Sequence, residues 1–131
     1  MSIKRPVEHW LKAQRALESA RLLLKDGDLD GAGNRCYYAM FDAARAALLS
    51  QDPSLAPQFA KTHSGLMSVF NERLVKENKT SRDIGKLLKR AEELRVLADY
   101  TLTELTQEDV ASLIESAERF LEAMKGLCDV D

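Results

Sequence analysis

Apolar residues recur every three or four positions along most of the chain, the spacing that places them on one face of an α-helix. The first stripe predicts a helix from about Val7 to Lys25, and Pro6 before it suits a helix start. Gly27 predicts the C-terminal cap of this helix. The second stripe predicts a helix from about Leu29 to Ser50. The apolar positions are Val7, Trp10, Leu11, Leu17, Ala20 and Leu24 in the first helix, and Leu29, Ala32, Cys36, Ala39, Met40, Ala43, Ala46 and Ala47 in the second.

A segment with two prolines, residues 51–60, separates the second helix from a third. The third helix is predicted to begin near Thr62 or His63 and to end within residues 78–80. Its apolar positions are Leu66, Val69, Phe70 and Leu74.

Two further helices begin with similar start signals. Thr80 with Asp83 is close to a capping box, and Thr106 with Asp109 repeats that pattern. Gly126 is predicted to end the last helix. The apolar positions are Ile84, Leu87, Leu88, Ala91, Leu94 and Ala98 in the fourth helix, and Val110, Leu113, Ile114, Ala117, Phe120, Leu121 and Met124 in the fifth.

No stretch alternates polar and apolar residues as a half-buried strand does, and no internal repeat is present. Helices that follow one another through short loops pack as antiparallel neighbours. A chain of 131 residues has the length of one domain. The sequence therefore predicts a single all-α domain over residues 1–131, built as an antiparallel, up-and-down helical bundle.

Charge and cysteine content exclude several classes of protein. The formal net charge of −2 excludes a uniformly basic nucleic-acid coat, although residues 73–90 hold seven bases against two acids. That stretch is either a solvated helix face, the commoner case, or a contact for RNA or an acidic partner. Cys36 and Cys128 form no CxxC pair, so we expect no disulfide framework and no metal site. No apolar run has the length of a membrane span or the character of a signal peptide, so we expect a cytoplasmic protein.

The second predicted helix carries another face that is both polar and aromatic. Its residues recur at helical spacing: Asn34, Arg35, Tyr38, Phe41, Asp42 and Arg45. Two structural interpretations are open: Arg35 pairs with a carboxylate of another helix, or the aromatic rings are core residues with polar tips. In a third interpretation, this face binds a ligand. The residues alone favour a structural interpretation.

Two shorter segments also carry candidate chemistry. Residues 61–66 lie where the third helix begins, and the free N–H groups of a helix N-terminus suit a phosphate. The simpler alternative is that Thr62 caps the helix and His63 faces solvent. Arg95 and Asp99 are four residues apart on one face of the fourth helix, where the simpler alternative is a weak local ion pair.

Together these segments resemble the HEPN family of small helical domains, in particular its stand-alone bacterial and archaeal members. The resemblance rests on three tracts in order, Asn34-Arg35-Cys36-Tyr37-Tyr38-Ala39-Met40-Phe41 with Ala43-Ala44-Arg45, then Lys61-Thr62-His63-Ser64-Gly65-Leu66, then Arg95-Val96-Leu97-Ala98-Asp99-Tyr100. It implies a four-helix core with an additional helix, a homodimer, and a small nucleotidyltransferase as partner, in pairs that include toxin–antitoxin modules. Several HEPN branches are metal-independent ribonucleases, and others bind nucleotides or act as scaffolds.

The chain departs from the ribonuclease branches at their signature, in which four to six residues stand between an Arg and the His that follows it. Neither His9 nor His63 has an Arg at that distance before it, and the stretch after Arg95 offers Asp99 and Tyr100 instead. This departure weighs against catalysis and leaves binding open.

If the resemblance extends to the site, the candidate catalytic residues are His63, Arg35 and Arg95. His63 would be the base for the 2′-hydroxyl of RNA, and the arginines would hold its phosphate. The candidate binding residues are Asn34, Tyr38, Lys61, Thr62, Ser64, Asp99 and Tyr100. We expect Arg35, Tyr38, His63, Arg95, Asp99 and Tyr100 to converge on one side or end of the bundle, within a protomer or across a dimer interface.

Two classes of function follow from these residues. The first is an RNA-cleaving toxin held in check by a nucleotidyltransferase, and the second is a non-catalytic helical module that binds a nucleotide or a protein. Neither class calls for a cofactor. The alanine-rich second helix and its aromatic face are the candidates for the dimer surface.

Overall fold

Five α-helices make up most of the part of the chain that this computed structural model describes, residues 5–128. They are α1 Pro6–Asp26, α2 Leu29–Gln51, α3 His63–Phe70, α4 Arg82–Tyr100 and α5 Gln107–Lys125. A short 3-10 helix, Pro57–Ala60, precedes α3, and one π-helical turn, Asn71–Val75, continues it. No strand occurs within residues 5–128. The predicted all-α fold is confirmed.

Local sequence signals set most helix ends. Gly27, the C-cap of α1, has a φ of 87°, a left-handed conformation that glycine adopts without steric cost. Thr106 and Asp109 form the predicted capping box at the start of α5, each side chain accepting a hydrogen bond from the other residue's backbone N–H. These two ends were predictable because each signal lies within a few residues.

The prediction that Thr80 caps the fourth helix is wrong. Ser81 is the cap of α4, and its hydroxyl accepts a hydrogen bond of 3.2 Å from the N–H of Ile84. The N–H groups of Lys79 and Thr80 both donate to the carbonyl of Leu74. Thr80 therefore belongs to the turn that ends the preceding helix.

The alanine-rich helix α2 lies at the centre of the bundle and contacts each of the other four helices. Its fully buried alanines are Ala32, Ala39, Ala43, Ala44, Ala46 and Ala47. Small side chains there let neighbouring helices approach closely. The long helices α1, α4 and α5 pack around α2, and α3 is the additional helix. The alanine face is thus covered by neighbouring helices inside the protomer.

Leu11 is a predicted core residue that the structure places outside, with 48% of its surface exposed. A helix turns by about 100° per residue. Because Trp10 is buried, Leu11 directly after it faces away from α2. The buried positions of α1 that follow are instead Ala13, Ala16, Leu17 and Ala20.

Two observations bear on membranes and metals. Within residues 5–128, no helix combines the length and the apolar character needed to cross a membrane. The same residues contain no group of three or more His, Cys, Asp and Glu side chains placed to hold a metal ion.

Candidate functional site

Tyr37 of α2 contacts residues of both α3 and α4. Its side chain is almost fully buried. Its hydroxyl lies 3.2 Å from Nδ1 of His63, the first residue of α3. The guanidinium carbon of Arg95 in α4 lies 4.8 Å from the centre of the Tyr37 ring, a cation–π contact. The packing of three helices therefore brings His63 and Arg95 to one aromatic ring.

Two carboxylates hold the guanidinium of Arg95. Its Nε and Nη2 donate to the two oxygens of Glu92, each at a distance of 3.0 Å, and its Nη1 donates to Asp99 at 3.3 Å. A two-point contact of this kind fixes the plane of a guanidinium. Partial burial opposes the charge of Arg95, but the hydrogen bond and the negative charge of Glu92 raise its pKa above the ordinary value. Arg95 is therefore a fixed cation.

The imidazole of His63 is neutral at neutral pH. Burial lowers its pKa below the ordinary 6.5; of the nearby charges, Glu92 opposes that shift and Arg95 reinforces it. Burial also raises the pKa of Tyr37, and the charge of Glu92 raises it further, so the phenol keeps its proton. Between a neutral imidazole and a protonated phenol, one group donates the hydrogen bond and the other accepts it.

The position of the Tyr37 proton decides which nitrogen of His63 is available. The Tyr37 hydroxyl faces Nδ1 of His63, and either group can donate this hydrogen bond, according to the tautomer of the imidazole. In the tautomer with the proton on Nδ1, His63 donates to the Tyr37 oxygen and Nε2 carries the lone pair that a general base needs.

Tyr38 and Arg35 join this cluster from the other side of Tyr37. The rings of Tyr37 and Tyr38 meet edge to face at 5.0 Å, and the guanidinium carbon of Arg35 lies 5.1 Å from the centre of the Tyr38 ring. Arg35 also donates a hydrogen bond of 3.0 Å to the side chain of Asn34. Arg35 thus reaches Arg95 through two tyrosine rings rather than by direct contact.

Four candidate residues lie where α3 begins, Lys61, Thr62, His63 and Ser64. One of them joins the cluster around Tyr37 and three do not. The hydroxyl of Thr62 accepts a hydrogen bond of 3.0 Å from the N–H of Gly65, which is the capping alternative. Lys61 and Ser64 are exposed, and the hydroxyl of Ser64 lies 3.5 Å from that of Thr62. His63, in contrast, is half-buried against Tyr37 instead of facing solvent.

The structure brings together five of the six residues that were expected to converge. Arg35, Tyr38, His63 and Arg95 all connect through Tyr37, and Asp99 joins them through Arg95. Tyr100 lies outside the cluster with 79% of its surface exposed.

Sequence reasoning missed the two residues at the centre, Tyr37 and Glu92. Glu92 precedes Arg95 by three residues, a spacing at which a carboxylate and a guanidinium meet on a helix surface. That local signal was sufficient to find Glu92. No local signal pairs Tyr37 with His63, because a loop and a change of helix direction separate them.

Known proteins resemble this chain over nearly its whole length. The family model described as "HEPN domain" matches residues 7–127. A "UPF0332 protein" of Thermotoga maritima is 39% identical over 125 residues, which cover 94% of this chain and 91% of that protein. Two proteins of Methanocaldococcus jannaschii also match. "Putative toxin MJ0605" is 33% identical over 113 residues, 86% of this chain and 81% of that protein. "Putative toxin MJ0142" is 30% identical over 124 residues, 93% of this chain and 81% of that protein.

Proposed function

The chain belongs to the HEPN domain family, and from this premise we propose that it is the toxin-like component of a two-gene system and acts as a metal-independent ribonuclease. Two relatives with the word toxin in their names support the first part. The shared contact of His63 and Arg95 with Tyr37 supports the second. In this chain, the imidazole and the guanidinium belong to different helices and are brought together by packing. The ribonuclease signature would place both on one helix.

His63 is the proposed general base. Its Nε2 takes the proton of an RNA 2′-hydroxyl, the 2′-oxygen forms a bond to the adjacent phosphorus, and the bond from phosphorus to the 5′-oxygen breaks. A proton from water goes to the leaving 5′-oxygen. The products are a 2′,3′-cyclic phosphate and a 5′-hydroxyl, and no redox partner is needed.

Arg95 is the proposed cation for the negative charge that develops on the phosphate oxygens. Three of its five N–H groups are directed at Glu92 and Asp99. Within residues 5–128, the other two meet no acceptor and are free for phosphate oxygens. The two carboxylates hold the guanidinium in place, so little reorganisation is required when substrate binds.

A second copy of the chain is the proposed partner at the C-terminal end of α4. Four large apolar residues are exposed there, Val96 at 38%, Leu97 at 39%, Tyr100 at 79% and Leu102 at 105%. They lie close in sequence to Arg95 and Asp99, so a homodimer that covers them would also enclose the site. The further partner, a nucleotidyltransferase that restrains the toxin in the cytoplasm, rests on family membership, and co-purification with the product of the neighbouring gene tests it.

The test is cleavage of total RNA by purified protein in the presence of a chelator. We expect His63→Ala to reduce the rate by about 100-fold or more, the usual contribution of a general base. The matched control is Ser64→Ala, which changes the next, exposed residue. Cleavage that persists in His63→Ala removes His63 from the mechanism, and a wild-type protein that leaves RNA intact refutes the ribonuclease.

The second candidate is a non-catalytic module that binds a nucleotide or a protein. The absent Arg–His signature and the occupation of Arg95 by two carboxylates favour it. Nucleotides that raise the melting temperature, in a protein that does not cut RNA, would support this function.

A further inference from the structure

A cleft of about 330 Å³ lies between α1 and α2 and shares only Arg35 and Tyr38 with the cluster around Tyr37. Its charged and aromatic lining includes Lys12 and Arg15 of α1 and Arg35, Tyr38, Asp42 and Arg45 of α2. We propose that this α1–α2 cleft binds the phosphate backbone of single-stranded RNA. The choice of RNA as the ligand rests on the proposed function.

The helix connection explains why these residues face one another. Only Gly27 and Asp28 separate α1 from α2, so the two helices are antiparallel neighbours. Lys12 and Arg15 are three residues apart and share one face of α1. The facing side of α2 carries Arg35 and Arg45, which lie farther apart along their helix, so cations from both helices flank the cleft.

The charge of the cleft is largely uncompensated. Four cations line it against one carboxylate, Asp42, which lies 3.6 Å from Arg45. Within residues 5–128, Lys12, Arg15 and Arg35 form no ion pair. Arg45, in contrast, also donates a hydrogen bond of 3.1 Å to the carbonyl of Ala60. The three cations without an ion pair suit an anion that approaches from solvent.

The basic stretch at residues 73–90 provides the contrast. Arg73, Lys79, Lys86 and Arg90 each lie within ion-pair distance of a carboxylate. Their charge is partly neutralised on the protein surface, as expected for a solvated helix face. In a chain with a net charge of −2, the α1–α2 cleft is therefore the stronger candidate for phosphate binding.

Tyr38 connects the cleft to the proposed reactive site. One side of its ring meets Arg35, and its edge contact with Tyr37 leads to His63. Aromatic rings bind single-stranded nucleic acid by stacking on bases, while cations beside them follow the backbone. An RNA strand in the α1–α2 cleft is thus positioned to pass a phosphodiester toward His63. This geometry favours a polynucleotide over a free nucleotide, which has no backbone to extend.

The test uses a fluorescent 2′-O-methyl oligoribonucleotide, which has no 2′-hydroxyl and is not cleaved. Fluorescence anisotropy compares the full chain with Lys12→Ala/Arg15→Ala and with the matched double variant Lys86→Ala/Lys89→Ala. All four residues are exposed on helices, where alanine is the best helix former, so both variants are expected to fold. Circular dichroism checks this.

We expect the cleft variant to bind about tenfold more weakly and its salt dependence to fall by about 1.4 in the slope of log K against log salt, the amount for two lost contacts to a single strand. The control should retain wild-type values. Equal losses in both variants, no loss in the cleft variant, or displacement of the strand by lower concentrations of ATP than of unlabelled strand would overturn the proposal.

The outcomes separate this proposal from the ribonuclease. The strand cannot be cut, so its binding does not depend on a catalytic His63. A wild-type protein that binds the strand through Lys12 and Arg15 but leaves total RNA intact supports the cleft and refutes the nuclease. Cleavage that is lost in His63→Ala but unchanged in Lys12→Ala/Arg15→Ala, with unchanged binding, refutes the cleft alone.

Discussion

Replacing Tyr37 with phenylalanine removes one oxygen atom from the centre of the candidate site and leaves the ring in place. That oxygen lies 3.2 Å from Nδ1 of His63. The ring contacts with Arg95 and Phe41 are retained, because they need only the aromatic face. The substitution therefore tests the hydrogen bond to His63 without opening a cavity.

The expected loss of stability follows from the burial of Tyr37, whose relative exposure is 3%. A net hydrogen bond contributes about 1 kcal/mol, and a buried partner left without one costs about 1–3 kcal/mol. Since Tyr37→Phe removes the hydrogen bond to His63 and leaves Nδ1 of that half-buried ring without it, we expect the free energy of unfolding to fall by about 2 kcal/mol. Urea unfolding followed by circular dichroism measures it.

Tyr38→Phe is the matched control, since it removes the same atom from the adjacent residue. The hydroxyl of Tyr38 has no hydrogen bond within residues 5–128, and its side chain is half-buried. We expect its stability to change by less than about 0.5 kcal/mol. If the two variants lose the same stability, or if Tyr37→Phe matches the wild type, then the hydroxyl of Tyr37 does not hold His63 in place.

Three further predictions concern the pH dependence, a helix cap and the core. Because the folded-state pKa of His63 lies below 6.5, the stability that its neutral form contributes is present above pH 6.5 and is lost as the pH falls below it. Lowering the pH from about 7.5 to about 5.5 should therefore destabilise the wild type more than His63→Ala in urea titrations. Equal losses of stability would contradict the neutral imidazole. Thr106→Ala should cost about 1 kcal/mol because it removes the cap of α5, whereas the exposed Thr103→Ala should be nearly neutral, and calorimetry compares them. Phe120→Ala, which removes one ring of the stacked pair with Phe70, should cost about 3–5 kcal/mol of stability. Leu11→Ala should cost only about 0.5 kcal/mol, because Leu11 is exposed on α1. Similar costs in chemical denaturation would mean that Leu11 is buried and that the orientation of α1 is wrong.

The fold was predictable wherever the signal is local. Gly27 and the Thr106–Asp109 box act within a single turn, so the residues themselves set the helix end. Thr80 was assigned to the wrong helix because its backbone is used by the turn that closes on Leu74, a contact that begins six residues earlier. Leu11 was misplaced because the direction of a helix face depends on where its neighbours pack.

The candidate site was predictable only in part. Arg95, Asp99 and Glu92 lie on one helix face, so their contacts follow from spacing. The contact between Tyr37 and His63 joins two helices across a loop of eleven residues, 52–62, and depends on how α3 docks on α2. The cations of α1 were overlooked because Lys12 and Arg15 resemble any solvated surface until α2 is placed beside them.

Two adjacent tyrosines on α2 divide the proposed work of the molecule. Tyr37 is buried beside His63 and Arg95, so the proposed base and the proposed cation are held in place by packing. Tyr38 borders a cleft whose cations have few partners, so that surface gains most from a bound anion. Consecutive helical residues point about 100° apart. One helix thereby separates a preorganised site, which chemistry requires, from an uncompensated one, which binding requires, while keeping the two rings 5.0 Å apart.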